Sequence, residues 1–446
     1  MEMHNSLLRY SLFLTGLLVT FLGCPPPTDV GRSPIGEDSS NPTEPTDTGE
    51  TSLQVARGTT AVDRSAAWPN WMGPNHSGVS QEVNWAADWP PEGLSVVWDK
   101  QIGIGFSSVS IADGQLFTMG HVQGREFVYC LDIRNGETIW QHSYPCQLVN
   151  VLHEGGPAAT PTIDGDYLYT LGREGQLFCF RTDSGEMVWQ KFLQEDLNVS
   201  LPEWGFASSV FILGDQLILQ GGRVVSYNKL TGKRNWQTTL HAAGYGSAIA
   251  FTHDDRILLA TLDCDGLRIT QSDGEEISFA AWDSPYGTNS TTPIINGDTI
   301  YVSSGYDIGC GLFQLQGDAL ELIYSNRDMR NHFNNSVLYK GYLYGFDGNS
   351  NWDRRVSLTC MHFETGEVAW KQGGLGCGSL MVADGKLLIL TESGSLVVAH
   401  ARPERYQELA RSVFLEGRCW TVPVLLNQRI YGRNAAGKLV CAQCKP

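Results

Sequence analysis

Short apolar runs alternate with polar turns along most of the chain, and the runs come in pairs. SVSIADGQLFTMG, TPTIDGDYLYTLG, SVFILGDQLILQG and AIAFTHDDRILLA are followed by TPIINGDTIYVSSG, SVLYKGYLYGFDG, LMVADGKLLILTESG and VPVLLNQRIYGRNAAG. In each, apolar residues flank a central Asp-Gly, Gly-Asp or similar turn, which predicts two antiparallel strands joined by a hairpin. A third run follows (FVYCLDI, QLFCFRT, SLTCMHF), then a polar turn with a Gly, then a fourth run with a Trp four residues after that Gly. The clear copies are Gly136 with Trp140, Gly185 with Trp189, Gly232 with Trp236 and Gly366 with Trp370. Four short strands repeating at about 40–50 residues predict the blade of a β-propeller.

Eight such openings occur, near Ser107, Ala158, Ala207, Ser247, Thr291, Asn335, Ser379 and Thr421. The eighth ends after its third strand, at LVCAQCKP, while SVVWDKQIG with Trp98 stands unclaimed before the first. An N-terminal strand completing the C-terminal blade removes two open sheet edges, so the expected fold is an all-β, eight-bladed propeller closed in this way. Pro161, Pro293 and Pro423 share a register in the first strand of their blades. Lacking an N–H, proline belongs on an edge strand, which in a propeller lines the channel. Trp98, Trp140, Trp189, Trp236 and Trp370 are expected to dock flat between blades. Three blades lack the full motif: QSDGEEISFAAW is stretched, LQGDALELIY has no Trp, and ARPERYQELARSVF has neither residue.

Composition refines this picture. A net charge of -17 over 446 residues repels polyphosphate and argues against nucleic acid as a partner. Residues 1–23 read as an export signal, with Arg9 before the apolar run YSLFLTGLLVTFLG. The run is too short to span a bilayer comfortably. It stops at FLGC, which resembles a bacterial lipobox with Cys24 as the lipidated residue, although Phe21 replaces the usual Leu. Residues 24–67 form a Pro/Ser/Thr-rich tract in which Asp29 to Glu50 holds six acids and one base, the composition of a tether. Residues 68–446 carry the propeller. Of 11 cysteines, Cys130, Cys179 and Cys360 lie six positions before a repeat Gly, where the third copy has Ser226. A register shared by Cys and Ser predicts a small packed position. Cys441 matches it, and Cys441 with Cys444 lacks the second Cys-x-x-C of a zinc site.

Propeller ligands bind in the axial funnel formed by the loops entering the inner strands. Those loops carry Phe106, His153, Glu154, Trp204, Phe206, Tyr245, Tyr286, Asn289, Asn331, His332, Asn334, Arg418 and Trp420. Such a set serves either to bind a sugar, peptide or quinone, or to let eight strands converge and plug the channel. No catalytic or metal constellation is evident. HEGG at His153 lacks the second His of a metalloprotease helix. The calcium-loop-like DGNSNWD from Asp347 has Leu358 where a Glu is required. Gly103-x-Gly105 opens a strand, not a helix, and no Gly-x-Ser-x-Gly elbow occurs.

Together, WPNWMGPNHSGVS, GIGFSSVSIADGQLFTMG, GPAATPTIDGDYLYTLGREGQLFCF and GRCWTVPVLLNQRIYGRNAAGKLVC resemble the quinoprotein-like eight-bladed propellers, over residues 68–446. The resemblance is to the PQQ-repeat proteins of planctomycete-type bacteria. One branch of that superfamily is similar to BamB, a lipid-anchored outer-membrane assembly factor that acts by binding proteins. The other holds pyrroloquinoline quinone and calcium on the axis, with an Asp base, a vicinal disulfide above the cofactor and a Trp below it. This chain has no adjacent cysteines. The first branch therefore sets the expectation: a non-enzymatic monomer without cofactor, held to the membrane at Cys24, binding envelope proteins or polymers. A divergent quinoprotein is the alternative, and carbohydrate binding a third.

Overall fold

The computed structural model describes residues 67–90, 93–350 and 355–444. These fall in one compact unit, Thr60–Pro446. The expected signal at 1–23, Cys24 and all but the last residue of the 24–67 tract lie outside the described residues.

Eight antiparallel sheets follow one another around an axis. Blades 1 to 7 run from inner to outer strand as Ser110–Ala112 to Thr138–Pro145, Thr162–Asp164 to Met187–Phe192, Phe211–Leu213 to Arg234–Gln237 and Ile249–His253 to Glu276–Ala281. They continue as Ile294–Asn296 to Ala319–Asn326, Val337–Tyr339 to Val368–Gly373 and Ser379–Ala383 to Glu408–Val413. Blade 8 contributes Val424–Leu426, Arg429–Arg433 and Lys438–Gln443, and its outer strand is Ser95–Gln101, paired Trp98 to Cys441. Eight blades and N-terminal closure are as expected. The prolines stand one residue before the inner strands Thr162–Asp164, Ile294–Asn296 and Val424–Leu426, not within them. The missing N–H costs no ladder bond there.

Hydrophobic core lies between neighbouring blades. Phe117, Met119 and Cys130 of blade 1 pack with Leu168, Phe178 and Phe180 of blade 2. The tryptophans sit at the same seams, and each serves the next repeat. Trp98, Trp140, Trp189, Trp236 and Trp370 donate Nε1–H to Ile133, Thr182, Lys229, Ser272 and Arg402 of the following blade, at 2.8 to 3.1 Å. The ring of Trp98 covers Gly136, Trp140 covers Gly185, Trp189 covers Gly232 and Trp236 covers Gly274. A Cβ on Gly185 would lie 2.6 Å from the Trp140 ring, and its φ of +72 also favours glycine. The Gly and Trp of one repeat thus belong to opposite seams. In blade 5, Tyr324 takes the tryptophan's place, donating to Phe363 O at 2.8 Å and covering Gly366. Cys130, Cys179, Ser226, Cys360 and Cys441 each pair across the sheet with the docking tryptophan of their own blade. All ten cysteines among the described residues are free, nine of them buried.

The segment before the ring holds the main surprise. Trp68 exchanges two hydrogen bonds of 2.8 Å with Ile111 of blade 1, antiparallel to that inner strand, and Pro69 O accepts from Ile163 N of blade 2. The His76 ring then meets Phe211 of blade 3 at 4.8 Å. Gly78 abuts Val337 of blade 6, and Val79–Ser80 adds a parallel fifth strand inside Ser379–Ala383 of blade 7. Antiparallel on entry and parallel on exit, residues 68–80 rise into the channel and descend again. This aperiodic Gly/Pro/Asn stretch is a plug touching the inner strands of five blades. Glu82 fixes its exit by accepting from the backbone N–H groups of Asn427 and Gln428.

Ring closure is clamped by Arg433, which is fully buried. Its guanidinium donates to the carbonyls of Met119 at 2.6 Å, Gly103 at 2.8 Å and Ser107 at 3.2 Å, all on blade 1 or the loop leading to it.

Candidate functional site

Each inner strand is entered by a loop from the preceding outer strand, and these loops share one face with the turns between second and third strands. On that face, over the tip of the plug, lies a cavity of about 210 Å³. Phe106, His153, Trp204, Tyr245, His332 and Trp420 line it, as the loop pattern suggested. Trp71 from the plug, Arg173 and Tyr306 from second-to-third-strand turns, and Leu152 and Phe333 also line it. Ser209, Ser247, Ser290, Thr288, Thr292 and Thr421 add hydroxyls around the inner wall.

The aromatic groups form a nearly continuous collar. Tyr306 meets His332 edge-on at 5.0 Å, Phe333 lies 4.1 Å from Trp420, and Trp420 stacks on Phe106 at 5.2 Å and 24°. Phe106 contacts His153 at 5.4 Å, and His153 contacts Trp204 at 5.6 Å. Offset and edge contacts of this kind hold the rings in fixed orientations.

The other expected residues sit elsewhere. Glu154 and Arg418 are on the rim, ion-paired at 2.9 Å, with Arg418 over the Trp420 ring at 4.6 Å. This pair latches the loop after blade 1 to blade 8, and Leu152 in that loop takes a φ of +65. Tyr286 stands 61% exposed outside Tyr306. Phe206 is buried between blades 2 and 3 against Gly175 and Gly221. Asn289, Asn331 and Asn334 are buried and their amides donate to backbone. Asn289 reaches Asp263 O at 2.7 Å, Asn331 reaches Phe346 O at 3.0 Å, and Asn334 reaches Gly378 O. The structure therefore takes Phe206 and the three asparagines out of the funnel lining. A loop amide satisfying a carbonyl reads the same in sequence as one aimed at a ligand.

Charge inside the cavity is sparse. Arg173 is 5% exposed. Its guanidinium has one long hydrogen bond, to Glu203 O at 3.4 Å, and no carboxylate within 4 Å among the described residues. Burial pulls the His332 imidazole down to about 4, with His153 a smaller contributor. Burial likewise lowers His153, more than Glu154 raises it. Both rings are neutral near pH 7. Burial pushes the Tyr245 phenol up to about 12. Trp204 Nε1, His332 Nδ1 and Thr421 Oγ1 are buried without partners.

A calcium-held quinone does not fit this donor set. Calcium takes six to eight oxygen ligands including carboxylates, and no Asp or Glu among the described residues lines the cavity. No cluster of three His, Cys, Asp or Glu that could hold a metal occurs among the described residues. The lining combines neutral imidazoles, hydroxyls and aromatic rings with one guanidinium among the described residues.

Eight four-stranded blades around an axial cup, five of them docked by a tryptophan, define the quinoprotein-like class of propeller. A family profile described as "Outer membrane protein assembly factor BamB" matches residues 124–372, more than half of the chain, and the protein belongs to that family. The chain is 23% identical over 242 residues to the outer membrane protein assembly factor BamB of Burkholderia pseudomallei (strain K96243), covering 50% of this chain and 58% of that protein. BamB from Moraxella catarrhalis superposes with a TM-score of 0.56 at 16% identity, over 78% of this chain and 99% of that one. Quinohemoprotein alcohol dehydrogenase from Comamonas testosteroni gives 0.64 at 11% identity, over 85% and 81%. A europium-containing methanol dehydrogenase gives 0.63 at 10%, over 82% and 89%. At such identities these structures share the fold.

Proposed function

We propose that the protein is an exported scaffold, anchored at Cys24, that holds envelope proteins or polymers on the cavity face of its propeller. The observation that carries this reading is the exposed apolar rim around the cup. Around the cup the entering loops present exposed apolar residues, Val151 at 59%, Leu152 at 65%, Leu240 at 62% and Tyr286 at 61%. Exposed apolar groups close together on a rim mark a candidate surface for association; the outer strands expose others, such as Val96 and Leu322. Membership of the BamB family and the lack of a carboxylate among the described residues of the cavity favour binding over quinone-dependent oxidation.

The anchor is tested by fractionating cells that express Cys24→Ser. The variant leaves the membrane fraction if Cys24 carries the lipid, and stays there if it does not. The docking face is tested by purifying the full chain from its native envelope. A Leu152→Asp/Tyr286→Asp variant loses the co-purifying proteins, and equal recovery overturns the assignment of that face. Calcium-dependent binding of pyrroloquinoline quinone with dye-linked alcohol oxidation would establish the enzyme reading instead.

A further inference from the structure

We propose that the cup is a specific site for an aromatic ring bearing a carboxylate, with the collar holding the ring and Arg173 the carboxylate. Among the described residues Arg173 is the one permanently charged side chain in the lining; it is deeply buried and its guanidinium has no carboxylate within 4 Å, while its backbone N–H donates to the Glu126 carboxylate at 3.2 Å. An unpaired guanidinium at such depth is costly, and an incoming anion relieves it. Its planar fork suits a carboxylate in particular. Trp204 Nε1–H adds a second unpartnered donor on the same side, because Arg173 packs against the loop that carries Trp204 through contacts with Gly205 and Glu203. Across the cup the Phe106, Trp420 and Phe333 faces supply the apolar wall.

The same features exclude other ligands. An aromatic collar alone attracts cations, but Arg173 repels them and no carboxylate among the described lining residues compensates. A neutral sugar would stack on the rings and leave the guanidinium unpaired. The cavity of about 210 Å³ equals roughly seven waters at ~30 Å³ each. That suits a single ring with a carboxylate. The ligand is either a free small molecule or the last residue of a chain ending in an aromatic. This inference stands on the cup alone, so it survives if no envelope protein docks on the loops.

The test titrates the purified full chain with phenylacetate, phenylacetamide, trimethylphenylammonium and glucose, read by calorimetry and tryptophan fluorescence. Saturable binding of phenylacetate is expected, at least tenfold tighter than phenylacetamide and weakened by salt. Arg173→Gln should abolish that preference, and Trp204→Phe, which keeps the ring but loses the N–H, should weaken phenylacetate severalfold. The Trp204→Phe result decides the matter if Arg173→Gln does not fold. A Gly-Gly-Phe peptide with a free C-terminus binding more tightly than phenylacetate, and losing affinity on amidation, identifies a chain end as the source. Binding of phenylacetate alone identifies a small molecule. Equal affinity for acid and amide, tighter binding of the cation or glucose, or no binding of either carboxylate overturns the proposal.

Discussion

Ring closure should depend on Arg433 in a way that inverts ordinary expectations about conservative substitution. Its three shorter hydrogen bonds reach Met119 O, Gly103 O and Ser107 O across the last seam. Bonds from a charged donor contribute about 1.5–3 kcal/mol each, so the three sum to roughly 7 kcal/mol. Against this, burial pulls the guanidinium from its usual 12.5 to about 9. At about 1.4 kcal/mol per unit that is a cost of roughly 5 kcal/mol. Arg433→Met removes both terms and should lose about 2 kcal/mol. Arg433→Lys keeps a buried charge but reaches one carbonyl at most, and should lose about 4 kcal/mol. With about 2.1 cal/mol/K per residue over about 380 residues, these losses lower Tm by roughly 2–3 °C and 5 °C. Scanning calorimetry supplies the ranking, wild type above Met above Lys. Deuterium exchange should localise the weakness to Ser95–Gln101 and Ser110–Ala112. A Lys variant as stable as wild type, or a Met variant that loses most, would refute the clamp argument.

The seams offer a second check. Trp140→Ala should cost about 3 kcal/mol, and Gly185→Ala a similar amount through its φ of +72 and the Trp140 ring. In the double variant Gly185→Ala should cost only the backbone strain of about 1 kcal/mol, measured by urea denaturation, and full additivity would show that the two do not touch. Acid should destabilise the fold. His76 and His332 are both held down to about 4 by burial. The unfolded chain therefore binds more protons between about pH 6.5 and 4, and stability falls across that window as pH is lowered. The slope is up to roughly 1.4 kcal/mol per pH unit for each histidine. His332→Gln should flatten its share, and an unchanged profile would contradict neutral burial.

The blades were legible because each hairpin carries its own turn chemistry between alternating apolar positions. The stray Trp98 strand located the closure, and the Cys/Ser register located the packed partner of each docking tryptophan. The plug escaped notice because residues 68–80 have no periodicity. Its two-residue strand, Val79–Ser80, pairs with a blade some 300 residues away. Arg173 and Tyr306 stand on turns between second and third strands, which reach the same cavity as the loops entering inner strands but share no aromatic or amide pattern with them. The GREG turn, a charge between glycines directly after an apolar strand, was the available signal for Arg173. Asn289, Asn331 and Asn334 show the opposite error, polar loop residues used internally as carbonyl clamps. Blade 5 keeps its seam through Tyr324, so loss of the Trp there changed the residue without losing the contact.

The central claim is that partners meet the cavity face of the propeller. Photo-crosslinking amino acids placed one at a time at Leu240 and Tyr286, and at Asp166 and Asp183 in turns of the opposite face, test it in intact cells. The account predicts discrete protein adducts from Leu240 and Tyr286 and none from Asp166 or Asp183. Adducts confined to Asp166 and Asp183 would contradict it.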